Sequence, residues 1–183
     1  DITNFSFPQG IFDTILHFAT PADAKMNVEK PLLMADIIVE GTRHLLDFAV
    51  QCKAKKVLLT SSGAAYGPQP IDLLLTPENY NGAPQTNALD AAYGESKRYA
   101  EFLGITYSKK YNFEFKIARC YAFAGKFLNK SGGYAMASFI DDVQNNQDIQ
   151  IKGDGTPYRS YLYADDLIVW LFTILEKGKN GEI

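Results

Sequence analysis

Val57-Leu58-Leu59-Thr60-Ser61-Ser62-Gly63 decides how this sequence folds. A compact apolar run passes without a break into small hydroxyl residues and glycine. Such a run suits a strand buried on both faces, and that burial calls for a parallel sheet covered by helices. The hydroxyl residues then fall at the carboxyl edge of the strand. In open α/β sheets that edge is where ligands bind.

The segments on either side repeat the logic. Phe12 to Phe18 is a second short apolar run, ending in Ala19-Thr20-Pro21, and predicts another buried strand followed by a loop. Between the two runs, Leu32, Leu33, Ile37, Ile38, Leu45, Leu46, Phe48 and Ala49 recur at three- and four-residue spacing. This spacing predicts a helix over Pro31 to Cys52. Gly41 interrupts it at a cost of about 1 kcal/mol relative to Ala, which points to close approach of another backbone. Residues 68–90 carry Pro68, Pro70, Pro77 and Pro84 and read as an irregular exposed loop. Further on, a helix is expected over Tyr93 to Tyr111 and a strand over Phe113 to Ala118. Gly125 to Gly133 reads as loop, Tyr134 to Val143 as helix and Ile149 to Lys152 as a short strand. Tyr158 to Tyr163 reads as extended. A last helix, capped by Asp165 or Asp166, runs to Glu176 and stops at Gly178. Strands alternating with helices imply βαβ units.

Composition narrows the function. Eighteen basic against twenty-one acidic residues leave a net charge of −3 with no basic patch, which disfavours a nucleic-acid binder. Two cysteines, Cys52 and Cys120, and two histidines, His17 and His44, exclude a disulfide scaffold and leave no evident metal site. The longest apolar run, Leu167 to Leu175 broken only by Thr173, is far short of the ~20 residues of a spanning helix. These features suit a cytoplasmic protein. A start at Asp1, without Met, and an end at Ile183 suggest an internal piece of a longer chain.

Tyr93-Gly94-Glu95-Ser96-Lys97 places a phenol and an ammonium four residues apart, on one face of the expected helix. A phenol titrates near pH 10. A neighbouring cation lowers that value, so the pair can exchange a proton with a substrate hydroxyl near neutral pH. Of the eleven tyrosines only Tyr93 has a lysine at this spacing. By itself the pair would also suit an exposed helix face. The serine-rich strand end adds weight, because Ser62 could hydrogen-bond the same substrate oxygen.

Together these motifs resemble the extended short-chain dehydrogenase/reductase family, in its nucleotide-sugar epimerase/dehydratase branch. Phe12 to Ala19 is similar to the family's fourth strand. Leu58 to Gly67 is similar to the strand carrying the catalytic Ser or Thr, and counting back four from Tyr66 gives Ser62. Tyr93 and Lys97 match Y-x-x-x-K. Arg119-Cys120-Tyr121 resembles the end of the sixth strand. Gly153 to Asp166 matches the segment in which an Arg, here Arg159, meets the nucleotide diphosphate. No Gly-rich first β-turn-α unit is present, and Asp1-Ile2 resembles the pair that meets adenine.

The resemblance implies a doubly wound, Rossmann-like parallel sheet in 1–122, with part of a small C-terminal substrate-binding lobe in 123–183. It implies NAD or NADP, with NAD favoured, near Asp1, Ile2, Phe18, Ala19, Thr20, Ser61, Tyr93 and Lys97. It implies a nucleotide-diphosphate sugar near Ser62, Gly63, Ala64, Ala122, Asn129 and Arg159, with Ser62, Tyr93 and Lys97 catalytic and no metal. It also implies a homodimer through helices 31–52 and 93–111. Three positions depart from the family pattern. Gly63 and Ala64 stand where dehydratases and decarboxylases usually carry acids, Ala122 replaces a substrate-binding Asn, and Ile38 replaces another Asn. The first departure ranks an epimerase or a ketoreductase above a 4,6-dehydratase, with epimerase the leading reading. A dinucleotide-binding module without catalysis is the rival from another class. His17 is expected to be a packed structural histidine, Cys120 to be core, and Lys126, Asn129 and Lys130 to sit in a loop that contacts substrate.

Overall fold

The computed structural model describes residues 1–126, 128, 134–151, 153–156 and 158–183. They form two compact units, Asp1–Cys120 with Phe172–Ile183, and Tyr121–Leu171.

In the first unit three strands, β1 (Thr14–His17), β2 (Lys56–Ser62) and β3 (Glu114–Cys120), form a parallel sheet in the order β1-β2-β3. The registers align Leu16 with Leu58 and Leu58 with Lys116. Two long helices make the crossovers: α2 (Pro31–Gln51) and α3 (Ala92–Tyr111). Strands added in one direction with right-handed crossovers place both helices on the same face. Side chains pointing to that face, Ile15, Val57, Leu59, Phe115 and Ile117, meet Met34, Ile38, Leu46 and Phe48 of α2 and Ala100 and Leu103 of α3. Leu46 is wholly buried there, and truncating such a residue to Ala costs about 2–5 kcal/mol.

The opposite face carries Lys116, which is buried although charged. Glu114 pairs with it at 2.7 Å and the Gly178 carbonyl accepts a second bond from its ammonium. Lys56 reaches Glu176 at 3.0 Å. Asn180 Oδ1 accepts from the Phe115 amide at 2.8 Å, so the chain's end is stitched to β3.

Several expectations need correction. A short helix, α1 (Ala24–Glu29), precedes α2 and is capped by the Asp23 carboxylate. Its single apolar turn is too short to show periodicity. Gly41 is approached by a side chain and not by a backbone: a Cβ there would lie 2.6 Å from Cγ2 of Ile2. Residues 149–151 form no strand. In the second unit β4 (Ala122–Ala124) pairs in parallel with β5 (Tyr161–Tyr163), so only the end of the aromatic stretch is strand. Two helices complete that account, α4 (Ala135–Gln144) and α5 (Ala164–Lys177), the latter running into the first unit. Asp165 and Asp166 lie in the first turn of α5 and do not cap it. There their charges favour the positive end of the helix dipole. Residues 68–90 contain neither helix nor strand, and Ile71, Leu74, Leu75 and Leu89 are exposed. Among the described residues no helix is long and apolar enough to cross a membrane.

Candidate active site

The amino terminus of α3 needs an external partner. Its N-cap, Ala91, has no side chain to accept the first amides. Asn27 of α1 takes that role: its Oδ1 accepts from the Tyr93 amide at 2.9 Å and its Nδ2 donates to the Asp90 carbonyl at 2.7 Å. Tyr93 is half-buried at this turn.

Lys97 lies one turn further on, with 2% of its surface exposed. Its ammonium donates to the Thr60 carbonyl at 2.7 Å and to the Thr20 hydroxyl at 2.9 Å, and stands 5.8 Å from the centroid of the Tyr93 ring. Burial lowers its pKa to about 8, while the negative forms of Cys120 and Glu101 oppose the shift. The side chain therefore remains charged at neutral pH.

Ser62 ends β2 and caps the 3-10 turn Gly63–Tyr66, its Oγ accepting from the Ala64 amide at 3.1 Å. A hydroxyl that accepts one bond still has its own proton to donate. The turn can reach α3 because residue 94 is glycine: a Cβ would lie 2.8 Å from the Ala64 carbonyl oxygen and 2.7 Å from Pro84 Cγ. The chain after Ser62 therefore packs directly on the helix of Tyr93 and Lys97. Gly63 is half-buried and Ala64 exposed.

Ser61 points the other way, as alternation along a strand requires. Its hydroxyl is committed to Glu101, so a side-chain contact from Ser61 to a cofactor does not fit this geometry. Glu101 also receives a bidentate pair from Arg119, at 2.9 and 2.6 Å, and the guanidinium lies 4.3 Å from the Tyr66 ring centroid. This buried ion pair ties β3 to α3 beside the site.

His17 is buried, with Nε2 3.0 Å from the Thr42 hydroxyl. Burial, then the charge of Lys97, lower its pKa to about 4. It is neutral at physiological pH and packed within the protein. Cys120 is only partly buried.

Four more sequence candidates, Asp1, Ile2, Phe18 and Ala19, belong to the first unit. Asp1 is exposed and its carboxylate accepts from Thr3, while the Ile2 side chain packs on Gly41. Phe18 and Ala19 are exposed beyond β1. In the second unit Ala122 belongs to β4, and exposed Arg159 donates to the Tyr158 carbonyl at 2.8 Å. Asn129 and Lys130 lie outside the described residues. Sequence reasoning missed the contributions of Asn27, Glu101 and Thr42. Glu101 falls four residues after Lys97, a legible spacing; Asn27 acts across 66 positions and leaves no local signal.

The model of the NAD dependent epimerase/dehydratase family matches residues 3–183. The chain belongs to that family. The resemblance read from its motifs is thus borne out. This family member is 30% identical, over 93% of its length, to UDP-glucuronic acid decarboxylase 3 of Arabidopsis thaliana, and covers 49% of that protein. It superposes on a UDP-glucose 4-epimerase of Thermotoga maritima, solved with UDP-glucose, with a TM-score of 0.83 at 24% identity, covering 92% of this chain and 53% of that one. It also superposes on a UDP-glucuronic acid 4-epimerase of Bacillus cereus, solved with UDP-glucuronic acid and NAD, with a TM-score of 0.77 at 23% identity, covering 93% and 51%. The fold is the Rossmann-like α/β architecture expected. The chain spans about half the length of the relatives it matches.

Proposed function

We propose that the full-length protein performs nicotinamide-dependent redox chemistry on a hydroxyl of a nucleotide-diphosphate sugar, with epimerisation as the outcome. One observation carries this reading: Lys97 is buried, charged and fixed beside the ring of Tyr93, at the strand end that bears Ser62. Burying an ammonium costs several kcal/mol, and a purely structural role is better served by an apolar side chain.

The donor set fits a nicotinamide ribose. An ammonium has three donors. Thr20 and Thr60 receive two, and the third suits a ribose hydroxyl. When bound, the cofactor would supply the hydride acceptor and donor. Tyr93 takes the proton of the sugar hydroxyl as the hydride leaves. Lys97 favours the phenolate required for that step. Ser62 donates to the same sugar oxygen and steadies its charge. Re-reduction of the keto sugar on its other face gives the epimer. NAD is favoured over NADP, following the relatives. Gly63 and Ala64 supply no acid to expel hydroxide, which supports an epimerase or ketoreductase over a 4,6-dehydratase. Arg159, Ala122 and Asn129 complete the sugar-diphosphate site in this reading, with Asp1, Ile2, Phe18, Ala19 and the backbone of Ser61 along the cofactor. The protein works in the cytoplasm as a homodimer through 31–52 and 93–111.

The test uses the full-length protein with NAD and a panel of nucleotide sugars, with products followed by mass and NMR. An isomer of unchanged mass without net cofactor use is expected, and it should vanish in Tyr93→Phe. A product lighter by one water would make the protein a dehydratase. Stoichiometric cofactor consumption would make it a reductase. Ligand binding without turnover would leave a binding module.

A further inference from the structure

We propose that Thr20 is a positioning residue for Lys97: its hydroxyl, on the loop after β1, fixes the ammonium so that its remaining donor faces the reacting groups. The inference rests on the proposed roles of Tyr93 and Lys97, but assigns Thr20 to the lysine and not to direct cofactor contact.

Lysine has a flexible four-carbon stem and no preferred fork, so an ammonium held by one acceptor can swivel. Lys97 is held by two, and they come from different segments. The Thr60 carbonyl belongs to β2, and Thr20 Oγ1 approaches from the loop beyond β1. The two segments are themselves linked, because the Thr60 hydroxyl donates to the His17 carbonyl at 3.1 Å. Two fixed acceptors leave one N–H and one direction for it. Both acceptors are neutral, so the lysine keeps its charge for a ligand or phenolate instead of spending it on a carboxylate.

The same hydroxyl holds the charge in place. Lys97 already titrates low, near 8, because of burial. The ionisable groups around it are His17 from β1, neutral at this pH, Cys120 from β3, and Tyr93 and Glu101 from its own helix. Glu101 is engaged by Arg119. Thr20 thus stabilises the ammonium by a side-chain hydrogen bond, and losing an acceptor of the charged form lowers the pKa.

The test needs no substrate. Full-length protein with 13C- and 15N-labelled lysine is titrated by NMR, with the Lys97 signal assigned through Lys97→Arg. Thr20→Val is expected to lower the Lys97 midpoint by about one pH unit. Thr20→Ser, which retains the hydroxyl, should restore it. Thr20→Ala gives the same reading without bulk if the valine variant folds poorly. A midpoint unchanged in both hydroxyl-free variants overturns the proposal. With an active substrate in hand, Thr20→Val should shift the pH profile of kcat more than it changes KM. A protein inactive on every nucleotide sugar, yet showing the midpoint shift, would sink the proposed reaction and leave the Thr20 assignment standing.

Discussion

Asn27 Oδ1 accepts a hydrogen bond from the backbone amide of Tyr93 at 2.9 Å, joining a six-residue helix to the first turn of α3. The amide would otherwise be one of the orphan donors of a helix start, since Ala91 offers no cap. Asn27→Ala should cost about 1 kcal/mol of stability, as loss of a helix cap does. Turnover should fall by more than this stability loss explains, because the freed turn carries the phenol. Urea unfolding and kcat measured on the same full-length preparation check both. Unaltered kcat would show that the cap is structural alone.

The buried pair of Glu101 and Arg119 should behave asymmetrically. Arg119→Ala leaves the buried Glu101 carboxylate without its ion-pair partner, and should cost about 3–5 kcal/mol. Replacing both partners with apolar residues of similar volume should cost much less. Denaturant midpoints for the two singles and the double decide this. Equal losses in all three would mean that packing, and not charge, dominates.

His17 links stability to acidity. An unfolded histidine titrates near 6.5, and the folded one at about 4. Between those values the unfolded chain binds a proton that the folded chain refuses. Stability from this group is therefore complete above pH 6.5 and declines as pH falls towards 4, by about 3 kcal/mol in all. His17→Gln should flatten that limb. Unfolding free energies of both proteins at pH 7 and pH 4 provide the check, and parallel declines would refute it.

Phe102 and Tyr99 are exposed on α3, with their rings 5.8 Å apart. If α3 forms half of the proposed dimer contact, Phe102→Asp buries a charge at the interface. Sedimentation of the full-length variant should then show a monomer that retains its helical signal. A persistent dimer would move the interface elsewhere.

Much of this protein is legible in its sequence. Pro31 to Cys52 was readable as a helix because apolar spacing over five turns averages out local noise, and the helices expected over Pro31 to Cys52 and Tyr93 to Tyr111 end within one residue of α2 and α3. Val57 to Thr60 was readable as a buried strand for the same reason: its own residues carry the burial. Tyr93 and Lys97 share a face because helix geometry places i and i+4 together. Short elements were not legible. The single turn of α1 and the three-residue β4 and β5 lack the length to show a period, and the run at 149–151 looked like a strand because β-propensity without a partner means little.

The sequence by itself determined which side chains could do the chemistry and on which elements they stand. The tertiary structure alone decided their environment. It sent Ser61 to Glu101 and left Ser62 at the turn, buried Lys97 between Thr20 and Thr60, and lent α3 a cap from Asn27. Apart from the local turn at Ser62, each of these contacts spans tens of residues. Periodicity reports only which face of its own element a side chain occupies, whereas hydrogen bonding and desolvation depend on what the fold brings to that face.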